Sequence, residues 1–256
     1  MSDTAPIVID ALTMAYGERV IQRDLNFAVQ RGEIFVIMGG SGCGKSTLLR
    51  HMIGLQSPAQ GRVLIKGQDF WASSAAEQAQ LQRQCGVMFQ SGALWSSLTL
   101  NENVALIIEQ HLALSPAETS ALASFKLDLV GLRGFDDYYP SEISGGMRKR
   151  AALARALAID PEILFIDEPS AGLDPISSKN LDDLILELRD SLGATVVMVT
   201  HELPSILGIA DRCVFLDAKT RTMIALGSPQ ALLTSGPPQV SSFMRRGKPA
   251  AMSEPQ

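Results

Sequence analysis

The chain has 256 residues, of which 46% are hydrophobic and 19% charged, the balance of a globular protein with apolar material for one large domain or a core with a subdomain. Its net charge of −5 argues against the basic surface on which nucleic-acid binding is built, so no nucleic-acid partner is expected. No apolar run reaches the ~18 residues of a membrane helix, and residues 1–6 lack the basic-then-apolar form of a secretion signal. The expected location is therefore the cytoplasm, with membranes reached only through a partner.

Residues 7–14 read as a strand, Tyr16-Gly17-Glu18 as a turn and residues 20–29 as a second strand. Tyr16 on its own is a lone aromatic beside a turn, suited to packing an edge. Arg31-Gly32 leads into the apolar run 33–38, of strand length. Gly39, Gly40, Ser41, Gly42, Cys43, Gly44, Lys45, Ser46 and Thr47 then fit the phosphate-loop pattern, with residues 46–53 able to continue as a helix. Glycines let backbone N–H groups turn inward around an anion, and the helix points its positive dipole end at the same place. Lys45 would reach the β/γ-phosphates and the Ser46 hydroxyl would be a Mg²⁺ ligand. Two fixed glycines with Lys-Ser after a strand read as a nucleoside triphosphate site rather than a glycine-rich turn. Among the three cysteines, which have no metal-ligand spacing, Cys43 reads as a small filler in this loop and Cys85 and Cys213 as core residues.

Further along, residues 57–61 form a turn, 63–65 a short strand, Ser74 with Glu77 a capping box, and 86–89 a strand ending at Gln90. Residues 91–159 change character and read as a helical subdomain. Thr99 with Glu102 and Ser115 with Glu118 are two more capping boxes, placing helices at about 102–112 and 116–130. Before them, Leu94, Trp95 and Leu98 sit too close to turn signals for a core strand; Trp95 either anchors a docking groove or fills the helical subdomain's own core. A third helix follows Ser144-Gly145-Gly146, whose paired glycines make either a second anion site or a hinge, and Pro161 ends it. Residues 163–167 are a continuous apolar strand closing on Asp167-Glu168. In a parallel sheet the strand ends converge on the ligand crevice, which would set these carboxylates beside the phosphate loop. Asp167 is assigned to Mg²⁺, through water, and Glu168 as general base. Asp174-Pro175 starts a helix to about residue 192, and the strand 194–200 closes on His201, which alone reads as an ordinary core or surface histidine aimed at the same crevice. Strands at 213–217 and 223–226 and a helix from Ser228-Pro229 complete the domain, and residues 236–256, without periodicity, read as a mobile tail.

In this order, G-G-S-G-C-G-K-S-T, Gln90, I-S-G-G-M, I-L-F-I-D-E-P, A-G-L-D and His201 resemble the ATP-binding-cassette (ABC) ATPases over residues 7–235. The resemblance implies an α/β fold: a RecA-like core with an antiparallel β subdomain and the helical, signature-bearing subdomain. It implies ATP and Mg²⁺ as cofactors, with Tyr16 stacked on adenine, Gln90 sensing Mg²⁺ and the water, and His201 on the γ-phosphate. Ser144, Gly145 and Gly146 would act in trans on ATP held by the other subunit of a head-to-tail homodimer formed on ATP binding, and Asp174 would belong to the loop joining the two sites. Met147 departs from the usual L-S-G-G-Q, which removes a polar contact.

Within the family, residues 89–106 and 144–158, with E-P-S-A-G-L-D-P-I at 168–176, resemble the ATPases of Mla-type lipid transporters. That resemblance implies an integral membrane permease as partner, together with an MCE-domain lipid-binding protein and a small accessory protein, at the cytoplasmic face of the bacterial inner membrane. The alternative is an importer ATPase for a polar solute such as an amino acid. ABC proteins that act on DNA or ribosomes carry a long coiled-coil insertion or a second cassette, and neither is seen here. A P-loop kinase or GTPase would not explain Ser144-Gly145-Gly146 together with His201.

Overall fold

The computed structural model describes residues 5–245. In chain order its first half runs β1 (Ile7–Tyr16), β2 (Arg19–Val29), β3 (Ile34–Gly39), α1 (Lys45–Met52), β4 (Gln60–Ile65), β5 (Gln68–Asp69), α2 (Ala75–Gln82) and β6 (Cys85–Met88). The helices α3 (Leu100–His111), α4 (Pro116–Leu129) and α5 (Gly145–Ala156) follow. The second half comprises β7 (Ile163–Asp167), α6 (Pro175–Leu192), β8 (Thr195–Val199), α7 (Leu203–Ile209), β9 (Arg212–Asp217), β10 (Thr222–Gly227), α8 (Pro229–Ser235) and α9 (Pro238–Arg245).

The continuous apolar runs form a six-stranded sheet of order β10-β9-β3-β8-β7-β6. Its strands are parallel except β10, which pairs antiparallel with β9. Such strands are apolar throughout because both of their faces are covered. All six residues of β3 are buried: Ile34, Val36 and Met38 pack toward the helices α3 to α9, while Phe35 and Ile37 pack toward α1 and the second sheet. That second sheet is antiparallel, of order β2-β1-β4-β5, and closes one face of the first. Phe27 of β2 stacks on Phe35 with ring centroids 5.2 Å apart, joining the two layers. On β1 the buried positions are Ile7 and Ile9, then Leu12 and Met14; the phase slips by one at a register shift around Ala11, whose φ is 47°. A bulge of this kind re-aims the rest of a strand without losing its apolar face.

The capping boxes at Ser74, Thr99 and Ser115 all form, each serine or threonine oxygen accepting the N–H three residues on. They set the starts of α2, α3 and α4. The expected tail needs correcting. Residues 238–245 are helix α9, with Val240 and Met244 fully buried and the Phe243 ring edge-on to Phe215 at 5.3 Å. Pro238 stands at the first helical position, where a proline is tolerated because its missing N–H has no intrahelical partner there. Residues 246–256 of the expected tail lie outside the described residues. Helix α7 is likewise absent from the sequence reading; it spans seven residues and begins Leu203-Pro204.

If α9 is part of the folded domain, Met244→Ala should cost about 2–5 kcal/mol of unfolding free energy. The exposed neighbour Ser242→Ala should change it by less than about 0.5 kcal/mol, both read from urea titrations of the full chain.

Candidate active site

The register of the parallel strands brings their carboxyl ends level. Val199 of β8 pairs with Ile37 of β3 on one side and Asp167 of β7 on the other, and Met88 of β6 pairs with Ile166. The segments that leave this edge carry the phosphate loop, Glu168, His201 and Gln90.

The loop between β3 and α1 is fixed by its glycines. Gly39 has φ 150°, and a Cβ there would lie 2.4 Å from the Leu216 carbonyl oxygen and 2.7 Å from Cys43 Sγ. Gly44, at φ 99°, would meet Ile21 Cγ2 at 2.8 Å. Gln22 of β2 braces the loop from the side, its Nε2 donating to the carbonyls of Cys43 (2.7 Å) and Asp217 (3.0 Å). Lys45 Nζ donates to the carbonyls of Gly39 (3.1 Å) and Gly40 (3.2 Å). Gly40, Ser41 and Gly42 are exposed, and Gly44 offers α1 no side-chain cap. The first-turn N–H groups of α1 are thus left to an anion. Cys43 is buried as expected, and burial pushes its thiol pKa up. Cys213 is buried too, whereas Cys85 is half-buried; both thiols are pushed up to about 12 by desolvation.

Beside this loop, Ser46 Oγ donates to Asp167 Oδ1 at 3.5 Å. Burial, and then the charge of Glu168, hold the Asp167 carboxyl above the usual carboxylate range. Glu168 is 8% exposed and has φ 46°, a left-handed conformation costly for a residue with a Cβ. Its N–H donates to the Val199 carbonyl (2.8 Å). Its Oε1 lies 2.8 Å from His201 Nδ1, so a proton on that nitrogen is donated to the carboxylate, while its Oε2 is buried with no partner. Mg²⁺ takes one or two protein ligands and completes its shell with phosphate oxygens and waters. Ser46 and Asp167 supply a hydroxyl and a carboxylate at that spacing, so the residues fit the ion. No group of three His, Cys, Asp or Glu is placed to hold a metal ion by itself among the described residues, and Mg²⁺ bound with phosphate and water needs none. Tyr16 ends β1 half-exposed, its hydroxyl lowered below the ordinary tyrosine range chiefly by the neighbouring Thr47 hydroxyl.

A crevice of about 720 Å³ is lined by Gln90, Asp167, Arg50, Gly145 and Lys149, among others. Ser144 and Gly146 do not line it. They border a separate 210 Å³ depression with Met147 and Ser177, which no phosphate-loop residue lines. Ser144 also caps α5, its Oγ accepting the Met147 N–H at 3.2 Å. Asp174 is likewise outside the crevice lining and serves as cap of α6: its Oδ1 accepts the N–H groups of Ile176 and Ser177, each at 3.0 Å. The Ser177 hydroxyl holds its carboxyl below the usual range.

Three residues that sequence reasoning passed over prove central. Lys149 and Gln22 join segments far apart in the chain. Asn103, fully buried on α3, accepts the Trp95 N–H (2.7 Å) and donates to the carbonyls of Trp95 (3.0 Å), Leu98 (3.1 Å) and Thr99 (2.8 Å). It holds the turn on which Trp95 stands 59% exposed, so this indole does not fill the helical subdomain's core, whereas Leu94 packs partly against it.

The ABC transporter profile matches residues 22–171. Over 240 residues, 93% of this chain and 90% of the relative, the chain is 41% identical to the intermembrane phospholipid transport system ATP-binding protein MlaF of Haemophilus influenzae. It is 39% identical, over 97% of its length and 69% of the relative's, to the probable ribonucleotide transport ATP-binding protein mkl of Mycobacterium tuberculosis. Among solved structures, a dimeric ATP-binding cassette in a post-hydrolysis state with ADP and Pi superposes with a TM-score of 0.78 at 30% identity, covering 87% of this chain and 98% of that one.

Lys45→Ala deletes the charge facing the anion cradle. A charge-assisted hydrogen bond is worth about 1.5–3 kcal/mol, so ATP affinity should fall about tenfold to a hundredfold, measured by titration with a fluorescent ATP analogue. Unchanged affinity in a folded variant would remove Lys45 from the phosphates.

Proposed function

Since the chain belongs to the ABC transporter family, as an ATP-binding and ATP-hydrolysing cassette that dimerises and works with a membrane permease, we propose that its cargo is phospholipid or a related lipid of the bacterial envelope. The observation that carries the catalytic part is the Glu168 carboxylate, with one oxygen on His201 and the other buried and unpartnered at the carboxyl edge of the sheet. The lipid part is supported by the relative named for phospholipid transport. The relative named for ribonucleotide transport favours a second reading, a polar solute as cargo.

In the proposed mechanism, the N–H groups of residues 39–47 and the Lys45 ammonium hold the ATP phosphates, and Tyr16 stacks on the adenine. Ser46 and Asp167 hold Mg²⁺, with Gln90 nearby; when bound, the ion offsets charge on the phosphate oxygens. Glu168 Oε2 accepts a proton from the water that attacks the γ-phosphorus; the bond to the β,γ-bridging oxygen breaks, leaving ADP and phosphate. His201 keeps the Glu168 side chain in place and faces the γ-phosphate. Ser144, Gly145 and Gly146 of one cassette complete the site of the other. Asp174 belongs to the loop joining the sites. No helix among the described residues is long and apolar enough to cross a membrane. The cassette reaches the inner membrane's cytoplasmic face through its permease, which docks at Trp95, with an MCE-domain protein and a small accessory protein as further members of the assembly.

Glu168→Gln keeps size and hydrogen bonding but removes the base. Turnover should fall about 10²–10⁴-fold while ATP binding persists, and size-exclusion with ATP should show a trapped dimer. Near-normal phosphate release would take Glu168 out of this role. Trp95→Ala should leave ATP binding intact and weaken assembly with the permease by about 2 kcal/mol or more, the value of an aromatic anchor. Lipid transfer should fall further than basal ATPase activity. A folded variant that copurifies with the permease and moves lipid at the normal rate would refute the docking role.

A further inference from the structure

We infer that Lys149 is a positioning residue for hydrolysis, its ammonium bridging the main-chain carbonyls of Gln90 and Glu168 and so fixing both to helix α5. The inference rests on the reading of Glu168 as general base. Lysine is seldom buried unless its charge is matched, yet Lys149 is 8% exposed. Its Nζ donates to the Gln90 carbonyl at 2.5 Å and the Glu168 carbonyl at 3.2 Å. Burial draws its pKa down, while the charges of Glu168 and Asp167 push it back up.

The geometry of Glu168 gives this contact its consequence. A non-glycine residue at φ 46° persists only where its surroundings over-determine it. Here the N–H side is held by Val199 and the carbonyl side by Lys149. Without the second bond the peptide is free to relax toward the ordinary right-handed region, and the carboxylate swings with it. The Gln90 end is similar. Gly92 and Ala93 both have positive φ, 76° and 50°, and Arg155 of α5 donates to their carbonyls at 2.9 Å and 2.6 Å. One helix therefore grips the Gln90 loop at both ends and the Glu168 turn at the same time. A cationic head with several N–H donors on a long flexible stem can reach the carbonyls of two separate segments, those that follow β6 and β7. A movement of α5, which Ser144 caps, is passed to both residues together.

The test compares Lys149→Met and Lys149→Arg in the full chain, measuring kcat, KM for ATP, ATP affinity and melting temperature, with Glu168→Gln alongside. Misplacing a catalytic group by about 1 Å costs about a hundredfold, so the Met variant should lose about tenfold to a hundredfold in kcat. KM and ATP affinity should stay within about twofold, as expected for an interaction that matters in the transition state. Lys149→Arg, which keeps the charge and donors, should recover most of the loss. A folded Met variant with unchanged kcat would overturn the inference, as would a loss confined to KM or one that Arg does not repair. Should the Met variant fail to fold, the Arg variant decides: kcat near that of the parent supports the bridge, and loss of most activity overturns it. Appreciable turnover by Glu168→Gln would instead defeat the reading of the base, whatever Lys149 does.

Discussion

The polar groups at the carboxyl edge of the six-stranded sheet are placed by the covering of β3, β7 and β8 on both faces. A strand packed between α-helices on one side and a second sheet on the other has no room for a carboxylate along its length. Charge can appear only where the strand stops, and the register makes the strands stop together: Ile37, Val199 and Asp167 form one row across the sheet. Hydrophobic burial thereby does the work of gathering reactive groups from distant parts of the chain onto one edge.

At that edge the ordinary rules of folding are broken several times in a small volume. Glu168 takes a left-handed backbone, a lysine is buried among carbonyls, and burial together with the charge of Glu168 holds the Asp167 carboxyl up, offset in part by Ser46, Arg50 and Lys45. Such exceptions gather where function demands them, and the regular packing around them holds them in place.

What was legible in the sequence is what is written in short segments. The capping boxes at Ser74, Thr99 and Ser115, the phosphate-loop spacing and the unbroken apolar runs each declare themselves within a few residues, and each forms as read. The pairing of Asp167 with Ser46 follows once the sheet is known to be parallel. Other features have no local signature. Gln22 acts on a carbonyl 195 positions away, Lys149 reaches carbonyls 59 and 19 positions away, and Asn103 looks like any polar residue of a helix. Pro237-Pro238 reads as a break, and only the burial of Val240 and Met244 against the rest of the domain reveals α9. The exposure of Trp95 depended on Asn103 holding the turn beneath it, which no spacing announces.

The brace that Gln22 makes between Cys43 and Asp217 settles when the phosphate cradle takes its shape. The loop is wedged between the antiparallel sheet and β9 by contacts of the protein alone, so a nucleotide meets a receptor already formed. Little ordering entropy is then charged to capture.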